Sequence, residues 1–191
     1  MHRLVVAVLF LLTQSANADE SPSRDLLAAA RAQVGVTLIY DPSYQRIAYP
    51  MGDVPLERGV CSDVVIRAFR AVGIDLQQEL HRDMKRHFAA YPKSWGLSAP
   101  DPNIDHRRVP NLGTWFKRQG YALPVKQEPA AYQPGDIVTW TLANGRPHIG
   151  IVSDQRSADG ARPLVIHNIG WGTREEDALF AYRITGHFRA F

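Results

Sequence analysis

Only one cysteine, Cys61, occurs in the 191 residues. The chain therefore cannot close a disulfide within itself, nor supply the several thiolates of a cysteine-based zinc site or an iron–sulfur cluster. Internal repeats and low-complexity tracts are missing, which removes solenoids, collagen-like structure and disordered tails. Excess charge of one sign is missing too. Lys and Arg number 22 against 19 Asp and Glu, a formal net charge of +3. The basic residues are interspersed with acids rather than gathered into a stripe, so nucleic acid is not an expected partner. What is present, 45% hydrophobic and 21% charged residues, is the composition of one globular domain. At this length roughly 70% of the unfolded surface can be buried without disulfides or a structural metal.

Long apolar runs are scarce as well. The run from Leu4 to Leu12 follows Arg3 and precedes Ala16-Asn17-Ala18, and it covers only about half of the roughly 20 residues needed to span a bilayer. This is the pattern of a secretory signal peptide over residues 1–18, with cleavage expected after Ala18 and a single domain over 19–191. No cysteine follows the run, so a lipid anchor is not available. The expected location is a periplasm or beyond, with no stable membrane anchor. A lone thiol in an exported protein is either buried and inert or kept for chemistry.

Its setting decides between these. Ser21 to Arg31 carries cap candidates at Ser21 and Ser23, then Leu26, Leu27 and Ala30 at helical spacing, and predicts a first helix. Thr37 to Tyr40 is β-prone, and Pro42, Pro50, Gly52 and Pro55 make the next stretch a loop that ends at Gly59-Val60-Cys61. From Ser62 onward, Val64, Val65, Ala68, Phe69 and Val72 share one helical face, with Gly73 as a stop. Cys61 thus opens a helix, whose N-terminal N–H groups and partial positive charge favour a thiolate. Asp75 caps a further helix to about Ala90, and Asn111 is a cap candidate for another that ends at Gly120. The pattern then alternates, with strands expected at Ile137–Leu142, His148–Ser153, Leu164–Asn168 and Leu179–Ile184 and a turn at Asp159-Gly160. Helices followed by an antiparallel sheet give an α+β order.

His148 and His167 fall on adjacent expected strands at roughly opposite positions. Cysteine, histidine and a further polar group are the nucleophile, base and orienter of acyl transfer. Together with Tyr49, with CSDVVIRAFRAVGIDL from Cys61, with Pro134-Gly135-Asp136-Ile137 and with His148-Ile149-Gly150-Ile151, this arrangement resembles the NlpC-type cell-wall cysteine peptidases of the papain-like superfamily. The likeness runs from about Tyr49 to Gly170. Within that superfamily, YPMGDVP, GVCSDVVIRAFR and NIDHRRVPN look like an uncharacterised family of exported bacterial proteins. The resemblance implies a papain-like fold with Cys61 as nucleophile, His148 as base and His167 as orienter, Asn168 being the second candidate for that last role. It also implies that Tyr49 belongs to the substrate cleft. The chain departs from the pattern beside the nucleophile, with Val60 where Asp is usual and Asp63 where Gly is usual, and both positions bear on the shape of the cleft.

The segment PDPNIDHRRVPN, 100–111, opens as a D-x-N-x-D calcium loop does, but His106 stands where an EF-hand needs Gly and Leu112 where it needs Glu. A solvated loop is the plainer reading. The functional reading is a carboxylate clamp, because Arg107 and Arg108 offer forks that match the carboxylates of peptidoglycan stem peptides. Asp63 and Arg67, four apart on a helix, can pair with each other. His81 and His87 lie on different helical faces and make no metal pair, and His106 and His187 have no evident partner. The expected activity is hydrolysis of an amide bond in stem peptides through a Cys61 thioester, without cofactor or metal, by a monomer. The alternatives are a module that binds muropeptides without cutting them and a papain-like acyltransferase.

Overall fold

The computed structural model describes residues 22–191; the expected leader and Ser21 lie outside the described residues. Helix α1, Pro22–Arg31, buries Leu26, Leu27 and Ala30. A short parallel pair, β1 (Ile39–Tyr40) and β2 (Arg58–Gly59), closes the proline-containing loop between them. Helix α2, Cys61–Ala71, begins at the cysteine, and α3, Leu76–His87, is capped by the Asp75 carboxylate, which accepts from the Gln77 N–H. Helix α4, Val109–Arg118, starts before the position that the sequence suggested. Pro110 suits a first helical turn, where its missing N–H costs nothing, and Asn111 sits inside the helix, donating to the Asp105 carbonyl at 3.1 Å.

Strands β3 (Ala122–Leu123), β4 (Ile137–Thr141), β5 (Pro147–Arg156), β6 (Pro163–Asn168), β7 (Thr173–Glu176) and β8 (Arg183–Phe188) form an antiparallel sheet in the order β3-β8-β4-β5-β6-β7. The fold is α+β. The last strand lies further along than Leu179–Ile184, because Leu179 is part of a loop whose carbonyl accepts from Trp140 Nε1 at 2.9 Å. Strand β7 escaped the sequence reading. Its TREE residues lack apolar alternation, as an edge strand can when only one neighbour holds it.

Alternation along the strands builds two cores. On one face, Ile137, Ile149, Ile151, Ile166 and Phe188 pack against α1, α2, α3 and α4, and Cys61 belongs to this cluster. Val64, Val65, Ala68 and Phe69 of α2 are fully buried there, each large apolar side chain contributing about 1.5–3 kcal/mol. On the other face, Val138, Trp140, Val152, Val165 and Ile184 pack with Tyr132, Ala178 and Leu179 from the loops.

Candidate functional site

The approach to Cys61 is held by buried polar contacts rather than by regular structure. Val60 is extended and serves as the N-cap, and the Asp63 carboxylate reaches back to accept from its N–H at 2.7 Å, the acidic half of a capping box. The same carboxylate takes both forks of Arg107 at 2.9 Å. Arg107 also donates to the carbonyls of Ser43 and Asp41, which fixes the segment around Pro42. Burial works against its charge, yet the Asp63 hydrogen bonds and the charges of Asp63, Asp41 and Asp53 together outweigh this and raise the Arg107 pKa. Asn168 secures the approach from the sheet, its Nδ2 donating to the Gly59 carbonyl at 3.2 Å.

Cys61 is 4% exposed. Burial pushes its thiol up to about 12, although the Ile149 N–H favours the thiolate; the nearby Asp63 charge adds to the rise, and the N–H groups of Ser62 and Cys61 oppose it. This corrects the expectation of a thiol below its free value. A helix N-terminus is present, but loss of water around the sulfur is the larger effect.

The histidines lie on the other side of the strand. Along β5, His148 and Ile149 point to opposite faces, and His148 lies against Trp140 with ring centroids 5.7 Å apart. The β5–β6 register pairs Ile151 with Ile166 and Val152 with Val165. His148 and His167 are therefore on one face but diagonal rather than directly opposite. Gly150 makes room between them, since a Cβ there would lie 3.0 Å from the His167 Cβ. His148 Nε2 and His167 Nδ1 are 2.7 Å apart, and His167 Nε2 lies 2.9 Å from the Glu176 carboxylate.

Proton positions along this row follow from donor and acceptor chemistry. An ionised carboxylate only accepts, so His167 carries its proton on Nε2 and accepts at Nδ1; His148 then donates from Nε2 and keeps an unprotonated Nδ1. Burial disfavours the cationic form of both rings. Burial, and then the neighbouring His167, bring His148 down to about 3, and burial lowers His167 against the opposing pull of Glu176. Cys61 makes no hydrogen bond to either imidazole, and the thiol and His148 instead open on neighbouring hollows. Cys61 lines one of about 390 Å³ with Tyr44, Trp95, Arg107 and Arg108. His148 lines one of about 420 Å³ with Leu142, Arg146 and Gly170. Tyr40, Pro42 and Pro147 border both.

Of the residues singled out in the sequence, Cys61 and His148 line adjoining hollows and His167 stands behind His148 and lines neither, while others have different places. Tyr49 meets His81 edge to face with centroids 5.1 Å apart and lines neither hollow; Tyr40 stands there instead. Burial pushes the Tyr40 phenol up to about 12. Asp63 is occupied by Val60 and Arg107, so it pairs with Arg107 and not with Arg67, which binds Asp53. Arg108 pairs with Asp105 at 2.8 Å and lies over the Trp95 ring. Asn168 points to the helical face and positions the approach to Cys61, not the imidazole. His187 has a buried partner after all, Asp136, at 2.7 Å, and Arg189 binds the same carboxylate. Glu176 went unread because an acidic residue in a charged stretch carries no signal until β6 and β7 pair and set His167 against Arg174. Among the described residues no group of three or more His, Cys, Asp or Glu could hold a metal ion, and no helix is long and apolar enough to cross a membrane.

Comparison with known proteins places this architecture in a family. A model described as a domain of unknown function (DUF1287) matches residues 27–190, a span that contains the cysteine, both histidines and Glu176. The protein of Escherichia coli (strain K12) called Uncharacterized protein YijF is 59% identical over 162 residues, covering 85% of this chain and 78% of that protein. The chain belongs to the DUF1287 family.

Proposed function

We propose that the protein is a cysteine hydrolase of NlpC-type, papain-like character that cleaves an amide bond in peptidoglycan stem peptides. The observation that carries this reading is the Glu176–His167–His148 row, whose His148 lines a hollow that adjoins the Cys61 hollow across Tyr40, Pro42 and Pro147. A purely structural histidine pair has no need of a free basic nitrogen at a cleft.

In the proposed reaction the Cys61 Sγ attacks the amide carbon while its proton passes to His148 Nδ1. The C–N bond then breaks, the leaving amine takes that proton, and the acyl group remains on sulfur as a thioester. Water attacks the thioester, giving one proton to His148, and the thiol is restored as the carboxylic acid leaves. Because the thiol and imidazole are both neutral at rest, the proton moves with the attack and not before it. His167, fixed by Glu176, keeps the base in the useful tautomer. The leader read from the sequence suits a substrate outside the cytoplasm, and the reading needs neither cofactor nor second subunit.

A binding module that holds muropeptides without cutting them is the second reading, favoured by the burial of Cys61 and its raised pKa. Mass spectrometry of purified peptidoglycan fragments incubated with the wild type and with Cys61→Ala separates the two. New amine and acid fragments that require Cys61 support hydrolysis, and a product joined to a different amine indicates acyl transfer. Unchanged fragments with retained binding support the module.

A further inference from the structure

The cleft is bordered by three arginines, and they are not equivalent. Arg107 is consumed by Asp63 in a buried, two-pronged pair. Arg108 is taken by Asp105 and by the Trp95 ring. Arg146 is exposed and its guanidinium has no carboxylate or carbonyl partner among the described residues, although its backbone is well fixed. Its N–H donates to Asn144 Oδ1 at 3.0 Å and its carbonyl accepts from Leu142 at 2.9 Å. The turn depends on Gly145 at φ +79°. This hairpin sets Arg146 two residues before His148, in the same hollow. Its positive charge also reaches Tyr40, where it opposes the rise in the phenol pKa.

We infer that Arg146 is the carboxylate receptor of the cleft, and that the protein selects peptides with a free terminal carboxylate close to the reacting bond. The inference deepens the proposed function and rests on its assignment of a peptide substrate. Its physical basis is the difference in commitment. Arg107 and Arg108 would each have to give up an existing carboxylate to bind another, and a buried Asp63 left behind would be costly. Arg146 gives up only water. Its place beside the base, on a hairpin and not on the helical side, sets the carboxylate at the His148 end of the cleft and leaves the Cys61 hollow for the rest of the peptide. The clamp that the sequence placed at Arg107 and Arg108 is thus divided, with those two shaping the wall and Arg146 taking the ligand.

Calorimetric titration of Cys61→Ala protein with a stem tetrapeptide, as the free acid and as its C-terminal amide, tests this without turnover. The acid is expected to bind about tenfold more tightly, and the preference should shrink as salt rises. Adding Arg146→Gln should abolish the preference while leaving amide binding unchanged, and Arg108→Gln should preserve it. A preference that survives Arg146→Gln, or disappears with Arg108→Gln, overturns the assignment. Cleavage of the acid form by otherwise wild-type protein is followed in parallel. If cleavage is seen but the preference ignores Arg146, only this inference fails. If the preference follows Arg146 but no cleavage occurs, only hydrolysis fails. No binding of either peptide overturns this inference, and together with no cleavage it overturns both.

Discussion

On the helical side of the sheet the candidate group is a thiol that burial keeps protonated; on the opposite side it is an imidazole that burial keeps unprotonated. One physical cause acts on an acid and on a base and drives their pKa values apart, to about 12 and about 3. The two sides also differ in how they are held. Cys61 sits in an apolar cluster and receives hydrogen bonds from backbone N–H groups, whereas His148 ends a row of directional side-chain hydrogen bonds. A pair arranged in this way does not rest as thiolate and imidazolium. It stores no charge at rest, and in the proposed reaction the proton moves only with attack on the substrate.

Removing the thiol breaks the comparison most severely. Cys61→Ala should lower amide cleavage by about 10³-fold or more, as loss of a nucleophile does in related chemistries, with the fold intact by circular dichroism; residual activity near wild type would assign the nucleophile elsewhere. Next comes the row on the other face. His167→Ala should lower turnover by about 10²-fold or more, and Glu176→Gln by about 10-fold, because the first releases the base and the second only weakens the tautomer bias. Asn168→Ala should chiefly lower the thermal midpoint, since it loosens the hold on Gly59. The opposite ranking of His167 and Asn168 would make Asn168 the orienter.

How far the sequence revealed this site follows from how local each signal is. The start of α2 at Cys61 was legible because helix spacing and a preceding loop lie within a dozen residues. His148 and His167 were legible as a same-face pair because strand alternation has a period of two, although the diagonal register needed the β5–β6 pairing itself. Tyr49 is assigned to the cleft by the resemblance alone, but the Pro50 and Gly52 loop carries it to His81, whereas Tyr40 is brought back by pairing with Gly59. The rise in the Cys61 pKa depends on strands almost 90 residues downstream, and nothing near Val60 announces it. Glu176 and Arg146 share that difficulty, since each is an ordinary surface residue until the sheet is assembled.

Smaller effects sharpen the comparison through pH. Iodoacetamide should label native Cys61 slowly at pH 7, with a midpoint well above the free-thiol value of about 8.5, and denaturation in urea should restore ordinary reactivity. A native midpoint below 8.5 would mean that the helix N-terminus outweighs burial. On the imidazole side, His148 and His106 both fall to about 3 through burial, below the unfolded value of about 6.5. Between those limits the unfolded chain binds protons that the folded one does not. The stability these histidines contribute is therefore fully present above pH 6.5 and is lost as pH falls towards 3, by up to about 1.4 kcal/mol per pH unit for each. Urea midpoints from pH 7 to pH 4.5 should show this slope, and His106→Gln should flatten it.

The resting protonation state is open to direct observation by nitrogen-15 NMR of histidine-labelled protein between pH 5 and pH 8. The expected result is a neutral His148 throughout, protonated at Nε2 and bare at Nδ1, with ring signals that hardly respond to Cys61→Ala. An imidazolium at His148 near pH 7 that becomes neutral when Cys61 is replaced by Ala would show a preformed ion pair and contradict the account.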